Sequence, residues 1–309
     1  MGPLTLADRN NHENRVRVPA RPKRPRELQD RLNFHLYHPL AWQLARQLAK
    51  TPLTPNAVSV IGGLFVVAAA AVYAQPWGVA GAGLGMILHM SWHVIDGADG
   101  DLARMTGRTS PIGEMVDGLC DYLSHIVLYL VLGYLLSIAL GAAGWWLTVA
   151  AGLSHLVQSN HVEVQRRQYQ WWVYGTPWLR NTHSNAEAAT RKSVFGTLVS
   201  AYLGAAAGMT PHALKIDSAV EAAQGDAARL EPIRAAVRAE APRLLLIQKF
   251  LGPNPRAIVL GLSMIAGAAS GTGPLWYFLY QSVVLNLLLV ASVTMHNAAA
   301  RRIAAQITA

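Results

Sequence analysis

The sequence predicts an all-α integral membrane protein, with six transmembrane helices as three hairpins, an N-terminal interfacial amphipathic helix and a cytoplasmic helical insert. Three observations predict it. Of 309 residues, 52% are hydrophobic and only 14% charged, where an ordinary soluble domain carries about a quarter charged. Residues 51–95, 122–162 and 257–300 contain no Asp, Glu, Lys or Arg, and each stretch has length for two spans of about 20 residues. All 26 Lys and Arg fall outside these stretches. Disorder over most of the chain and an ordinary water-soluble enzyme are both excluded. A single cysteine, Cys120, excludes a disulfide framework and a thiolate-built zinc site.

Residues 1–25 form a basic, polar N-terminus, with Arg15, Arg17, Arg21, Lys23 and Arg24 and none of the apolar core of a secretory signal. Residues 26–50 intersperse Leu28, Leu32, Phe34, Leu36, Tyr37, Leu40, Trp42, Leu44 and Leu48 with Arg31, Arg46 and Lys50. That pattern suits a helix lying in the membrane interface with its cations near anionic lipid. Residues 51–166 hold transmembrane helices 1–4, and residues 255–309 hold helices 5 and 6 with a short tail. Each charge-free stretch carries a turn signal near its middle: Gln75-Pro76-Trp77-Gly78, Gly141-Ala142-Ala143-Gly144 and Gly271-Thr272-Gly273-Pro274. No alternation of barrel strands is present, so helices are the structure that satisfies the backbone in lipid.

Residues 167–254 form the insert, Ala-, Glu- and Arg-rich in its second half and stopped by Gly252-Pro253-Asn254-Pro255. Ser193–Thr210 is uncharged, apolar and barely long enough to cross. As a seventh span it would place Arg301 and Arg302 outside, so an interfacial or partly embedded helix is expected. The basic residues put both termini and the long connections in the cytoplasm, and the protein in the cytoplasmic membrane if the source is bacterial. The net charge of +9 therefore faces lipid headgroups, and no nucleic-acid partner is expected.

Six of the 17 acidic residues lie in 96–121, against two apolar stretches. Asp96 and Asp99 are three apart at the end of the second span; Asp117 and Asp121 are four apart at the start of the third. Either spacing puts two carboxylates on one helical face. Ser110-Pro111 supplies an N-cap and first position between them, so the two helices are neighbours. Four carboxylates converging at a membrane edge repel one another unless cations neutralise them. Oxygen ligands without thiolates suit Mg²⁺ or Mn²⁺. A solvated acidic loop is the alternative, but Asp117 and Asp121 sit among Val116, Leu119, Cys120, Tyr122 and Leu123.

Asp96-x-x-Asp99-Gly100-x-x-Ala103-Arg104, eight residues, then Gly113-x-x-x-Asp117-x-x-x-Asp121 resembles the signature of the CDP-alcohol phosphotransferases, with eight identities in 26 positions. The likeness extends to the six-span layout, the interfacial helix and Thr54-Pro55-Asn56 at the first span. The resemblance implies a membrane enzyme that moves a phosphate-linked group from a CDP-activated donor to an alcohol acceptor, releasing CMP. It implies two metal ions on Asp96, Asp99 and Asp117, with Asp121 placed to take the acceptor's proton, and a homodimer. Asp121 is also a candidate fourth ligand, and both roles stay open. Gly100, Ala103 and Gly113 are small where the nucleotide would pass, or where helices pack closely. Arg104 is a cation for the donor phosphates, or a positive-inside anchor. Asp101, off the motif face, is expected to be solvated or capping.

His125, four after Asp121, could line the acceptor pocket. Arg166 and Arg167, before Tyr169, Trp171 and Trp172, either recognise an anionic acceptor or anchor the fourth span. Two donors stay open: CDP-diacylglycerol with a small polyol (inositol, an inositol phosphate or glycerol phosphate), which is favoured, or a soluble CDP-inositol or CDP-aminoalcohol. A metal-binding transporter is the competing class; acids gathered at one edge, without inverted repeats, speak against it.

Overall fold

The computed structural model describes residues 24–177, 204 and 208–308, and every regular element among them is helical. Helix α1 (His38–Leu48) continues a π-helical turn, Asn33–Tyr37. It buries Tyr37, Ala41 and Ala45 against the rest of the chain and leaves Phe34, Leu36 and Leu40 exposed. One apolar face packed and a second apolar strip uncovered is the layout of a helix lying in an interface.

Helices α2 (Pro55–Tyr73) and α3 (Gly78–Thr106) follow, joined by a turn at the expected Gln75–Trp77 signal. Thr54 caps α2 by accepting from the Ala57 amide at 3.2 Å, ahead of Pro55 at the first helical position. Helices α4 (Pro111–Leu140) and α5 (Ala142–Tyr174) meet at Gly141. A Cβ on Gly144 would come within 2.8 Å of the Leu136 backbone, so this turn closes only with glycine there. Helices α6 (Ala213–Ala222) and α7 (Ala227–Leu245) form the insert, and α8 (Pro253–Ser270) leads to the last pair, α9 (Leu275–Leu279) and α10 (Leu285–Thr308), which a π-helical turn joins end to end. Most of Ser193–Thr210 lies outside the described residues.

Among the described residues, four helical stretches are long and apolar enough to cross a membrane: Pro55–Tyr73, Gly78–Thr106, Met115–Leu140 and Leu275–Ile307. This is a multi-pass membrane protein. Helices α5 and α8 stand where the sequence places two more spans, but α5 carries Glu163, Arg166 and Arg167 and α8 opens on Pro253, Asn254, Pro255 and Arg256. The 33 residues of α5 reach about 50 Å at 1.5 Å each, longer than hydrocarbon about 30 Å thick. Its C-terminal third joins the insert in a separate apolar core, where Trp172, Tyr169, Ile216, Val237 and Ile303 are buried together.

The site depends on α2. Gly62 and Gly63 let two neighbours approach it at once: a Cβ on Gly62 would lie 3.5 Å from the Trp92 and Ile95 side chains of α3, and one on Gly63 would lie 3.4 Å from the Cys120 carbonyl of α4. Small residues draw α3 and α4 onto one helix.

Candidate active site

Helix α3 ends in a stripe. Asp96, Asp99, Gly100, Ala103 and Arg104 recur at intervals that place them on one side of a helix. Gly107 closes α3 in the left-handed region at φ 65°, where a side chain would be strained. Ser110 then caps α4 as expected, its Oγ accepting from the Gly113 amide at 3.0 Å. Gly113, Asp117 and Asp121 recur every four residues on α4, and the short turn sets the two stripes face to face.

Asp96, Asp99 and Asp117 each bring one carboxylate oxygen within 4.8 Å of the other two. Asp99 is buried and accepts a hydrogen bond from Ser59 of α2. Asp121 adjoins Asp96 and Asp117 but stands outside that triplet. Its Oδ1 accepts from Trp92 Nε1 at 2.9 Å. The donor set of the triplet is all carboxylate, with neither thiolate nor imidazole among its members. Oxygen donors at such spacing fit a hard divalent cation.

Beside the triplet lies a cavity of about 110 Å³, lined by Asn56, Ser59, Asp99, Gly100, Ala103, Arg104, Arg108, Gly113 and Asp117 among others. It is smaller than the roughly 300–1,000 Å³ of a pocket for a whole ligand, and takes one polar part of one. The four residues singled out for the nucleotide, Gly100, Ala103, Arg104 and Gly113, all line it. A Cβ on Gly100 would sit 3.5 Å from the Arg104 guanidinium, and one on Gly113 would sit 3.2 Å from Ser110 Oγ. The capped N-terminus of α4, at Ser110 and Gly113, borders the cavity too, and the positive end of a helix dipole favours anions. Carboxylates and cationic side chains line the same cavity, which suits a phosphate with a divalent cation.

Asp101 corrects the sequence reading. It is not solvated but 2% exposed, and it bonds Arg104 and, at 3.0 Å, Arg24. The segment before α1 folds over it and brings Arg24, so a position that faces away from the motif stripe is still covered.

His125 lies behind Asp121, its Nδ1 2.8 Å from the Asp121 carbonyl oxygen, and its ring packs on Trp92. It does not line the cavity. Arg166 and Arg167 do not line it either; both bond Glu163, at 2.8 and 2.6 Å. Ser59, Trp92 and Asp101 went unread in the sequence as site residues. Only Ser59 had a sequence cue, since it follows the Thr54-Pro55-Asn56 opening by three residues.

Residues 52–183 match the family model described as CDP-alcohol phosphatidyltransferase. Over 106 residues the chain is 33% identical to cholinephosphotransferase 1 of Gallus gallus, an alignment that covers 31% of this chain and 30% of that protein. The match thus spans under a third of the relative's length. No solved structure matches.

Proposed function

We propose, from the match of residues 52–183 to the family model described as CDP-alcohol phosphatidyltransferase, that the chain transfers a phosphate-linked group from a CDP-activated donor to an alcohol. The observation that carries the reading is the three-carboxylate triplet, two of whose members, Asp99 and Asp117, line a cavity with Gly100, Ala103, Arg104 and Gly113. The acceptor oxygen forms a bond to the donor phosphorus, the bond to the CMP oxygen breaks, and the acceptor proton passes to Asp121. Asp96, Asp99 and Asp117 are the residues proposed to hold two divalent cations, Mg²⁺ or Mn²⁺, which when bound neutralise charge growing on the pyrophosphate. Arg104 and Arg108, with the positive end of the α4 dipole, orient the donor phosphates. His125 is the proposed edge of the acceptor pocket; Arg166 and Arg167 stay engaged with Glu163 until an anionic acceptor competes for them.

The donor we propose is CDP-diacylglycerol, with a small polyol as acceptor. Leu119, Tyr122 and Leu123 are exposed apolar neighbours of Asp121, which supports a lipid-borne donor reaching the site sideways from the bilayer. A second reading is favoured by the avian relative, whose name says that it transfers phosphocholine: a soluble CDP-aminoalcohol donor with a lipid alcohol as acceptor. We also place both termini and the insert on the cytoplasmic side.

Purified protein in lipid nanodiscs, offered CDP-diacylglycerol with a panel of polyols or CDP-choline with diacylglycerol, separates the readings by CMP release and mass spectrometry of the lipid product. Alcohol-dependent CMP release that stops in EDTA and returns with Mg²⁺ or Mn²⁺ is expected. No CMP from any pairing defeats the transferase reading.

A further inference from the structure

Asp121 of the motif is held by an aromatic side chain. Trp92 lies one turn before Asp96 on α3, and its indole N–H crosses to Asp121 Oδ1 on α4 at 2.9 Å. The indole is 8% exposed. It stands edge-on to His93 and His125, with ring centroids 4.6 and 4.7 Å away, and stacks over His89 at 6.2 Å. On α2, Gly62 faces the same indole, where a Cβ would lie 3.5 Å from it. The ring is thus packed on several sides while its N–H points to Asp121. An indole donates one hydrogen bond and accepts none, so this contact takes no proton and serves only to fix the carboxylate.

We propose that Trp92 is a positioning residue for the transfer reaction: it holds Asp121 in the orientation that receives the acceptor's proton, separately from the three carboxylates grouped for metal. The inference rests on the transferase reading and deepens it. Two otherwise similar aspartates one turn apart on α4 acquire different tasks through their partners. Asp117 belongs to the carboxylate triplet, and Asp121, which also bonds Asp96 of that triplet, is oriented by a donor from α3. The chemistry pins nothing about Trp92 except the N–H, so phenylalanine there removes the positioning while keeping an aromatic ring in the histidine cage.

The test is Trp92→Phe alone and combined with Asp121→Asn, with donor affinity, donor KM and kcat measured for each. A misplaced catalytic group costs on the order of 10- to 100-fold, and Trp92→Phe should lower kcat by about that factor. Donor affinity and donor KM should stay within about twofold of wild type, because the ground-state complex does not need this bond. In the Asp121→Asn background, Trp92→Phe should change kcat by no more than about twofold, since there is no base left to position. Unchanged kcat in Trp92→Phe, a multiplicative loss in the double variant, or lost donor affinity would each overturn the inference while leaving the transferase reading intact. Wild-type protein that releases no CMP would overturn both.

Discussion

Ser59 donates its hydroxyl hydrogen to Asp99 from forty residues earlier in the chain, and thereby ties α2 to the carboxylate triplet. The serine is 6% exposed and lines, with Asp99, the cavity proposed to take part of the donor. A hydrogen bond to a ligating carboxylate fixes which of its lone pairs face a cation. Removing such a support costs roughly 10- to 100-fold in metal affinity or activity. Ser59→Ala should therefore raise the Mg²⁺ concentration for half-maximal activity by about tenfold or more, with activity recovering at high Mg²⁺. A titration curve that overlays the wild type would show that Asp99 needs no such support.

Asp101 gives a different prediction, because it acts on Arg104 and not on the metal. Asparagine there keeps the shape but removes the buried charge that holds the guanidinium beside Gly100. Hydrogen bonds to charged groups contribute about 1.5–3 kcal/mol, so donor KM should rise roughly tenfold while kcat at saturating donor stays near wild type. A drop in kcat at unchanged KM would instead place Asp101 in the chemical step.

The charge-free stretches made the helices legible, because a spanning helix must be apolar along its whole length whatever its neighbours are. The motif was legible for a local reason: the spacings of Asp96, Asp99, Asp117 and Asp121 put carboxylate pairs on single helix faces, whatever lies elsewhere in the chain. What the sequence hid was set by distant contacts. Asp101 looks outward on a helical wheel, and only the fold of the segment carrying Arg24 buries it. Trp92 reads as one more apolar residue in a span until α4 brings Asp121 to its N–H. The insert reads as surface helices. Its attachment needs Trp172, Ile216 and Ile303 in one core, drawn from parts of the chain more than a hundred residues apart.

Topology can be tested at positions where a cysteine strains nothing. Gln75, Ala143 and Ser270 are exposed at the three turns, Lys50 is exposed in the connection before α2, and Arg301 is exposed in the C-terminal part of α10. In a Cys120→Ala background, single cysteines at the first three should react with a membrane-impermeant maleimide from outside intact cells, and those at Lys50 and Arg301 only after lysis. External labelling at Arg301 would contradict the six-span arrangement.

The insert is tied to the last helix by a pair with a pH signature. Glu240 accepts two hydrogen bonds from Arg302, each 2.9 Å, and is contacted by Arg243 as well. These partners, Arg302 first, hold its carboxyl below the usual range. A carboxyl depressed in the folded state contributes stability above its unfolded value, about 4.3, and loses it as pH falls through the folded value. Glu240→Gln should therefore melt below wild type at pH 7 by a modest margin, since the arginines are half exposed. That margin should begin to shrink as pH falls below the unfolded value and vanish once pH is below the folded one. A margin independent of pH would mean that the pair contributes packing and not charge.

The central claim is a division of labour between Asp121 and the triplet, and the most direct measurement is CDP-donor affinity at fixed Mg²⁺, alongside single-turnover rates, for Asp121→Asn and Asp96→Asn. Asparagine keeps the shape of either side chain but takes no proton and ligates more weakly. General-base assistance contributes about 10²–10⁴-fold, so Asp121→Asn should bind donor nearly as wild type does and turn over slower by that factor. Asp96→Asn should lose donor affinity and turnover together, because the pyrophosphate is held through the metals. Equal loss of donor affinity in both variants would contradict the account, by making Asp121 a fourth ligand.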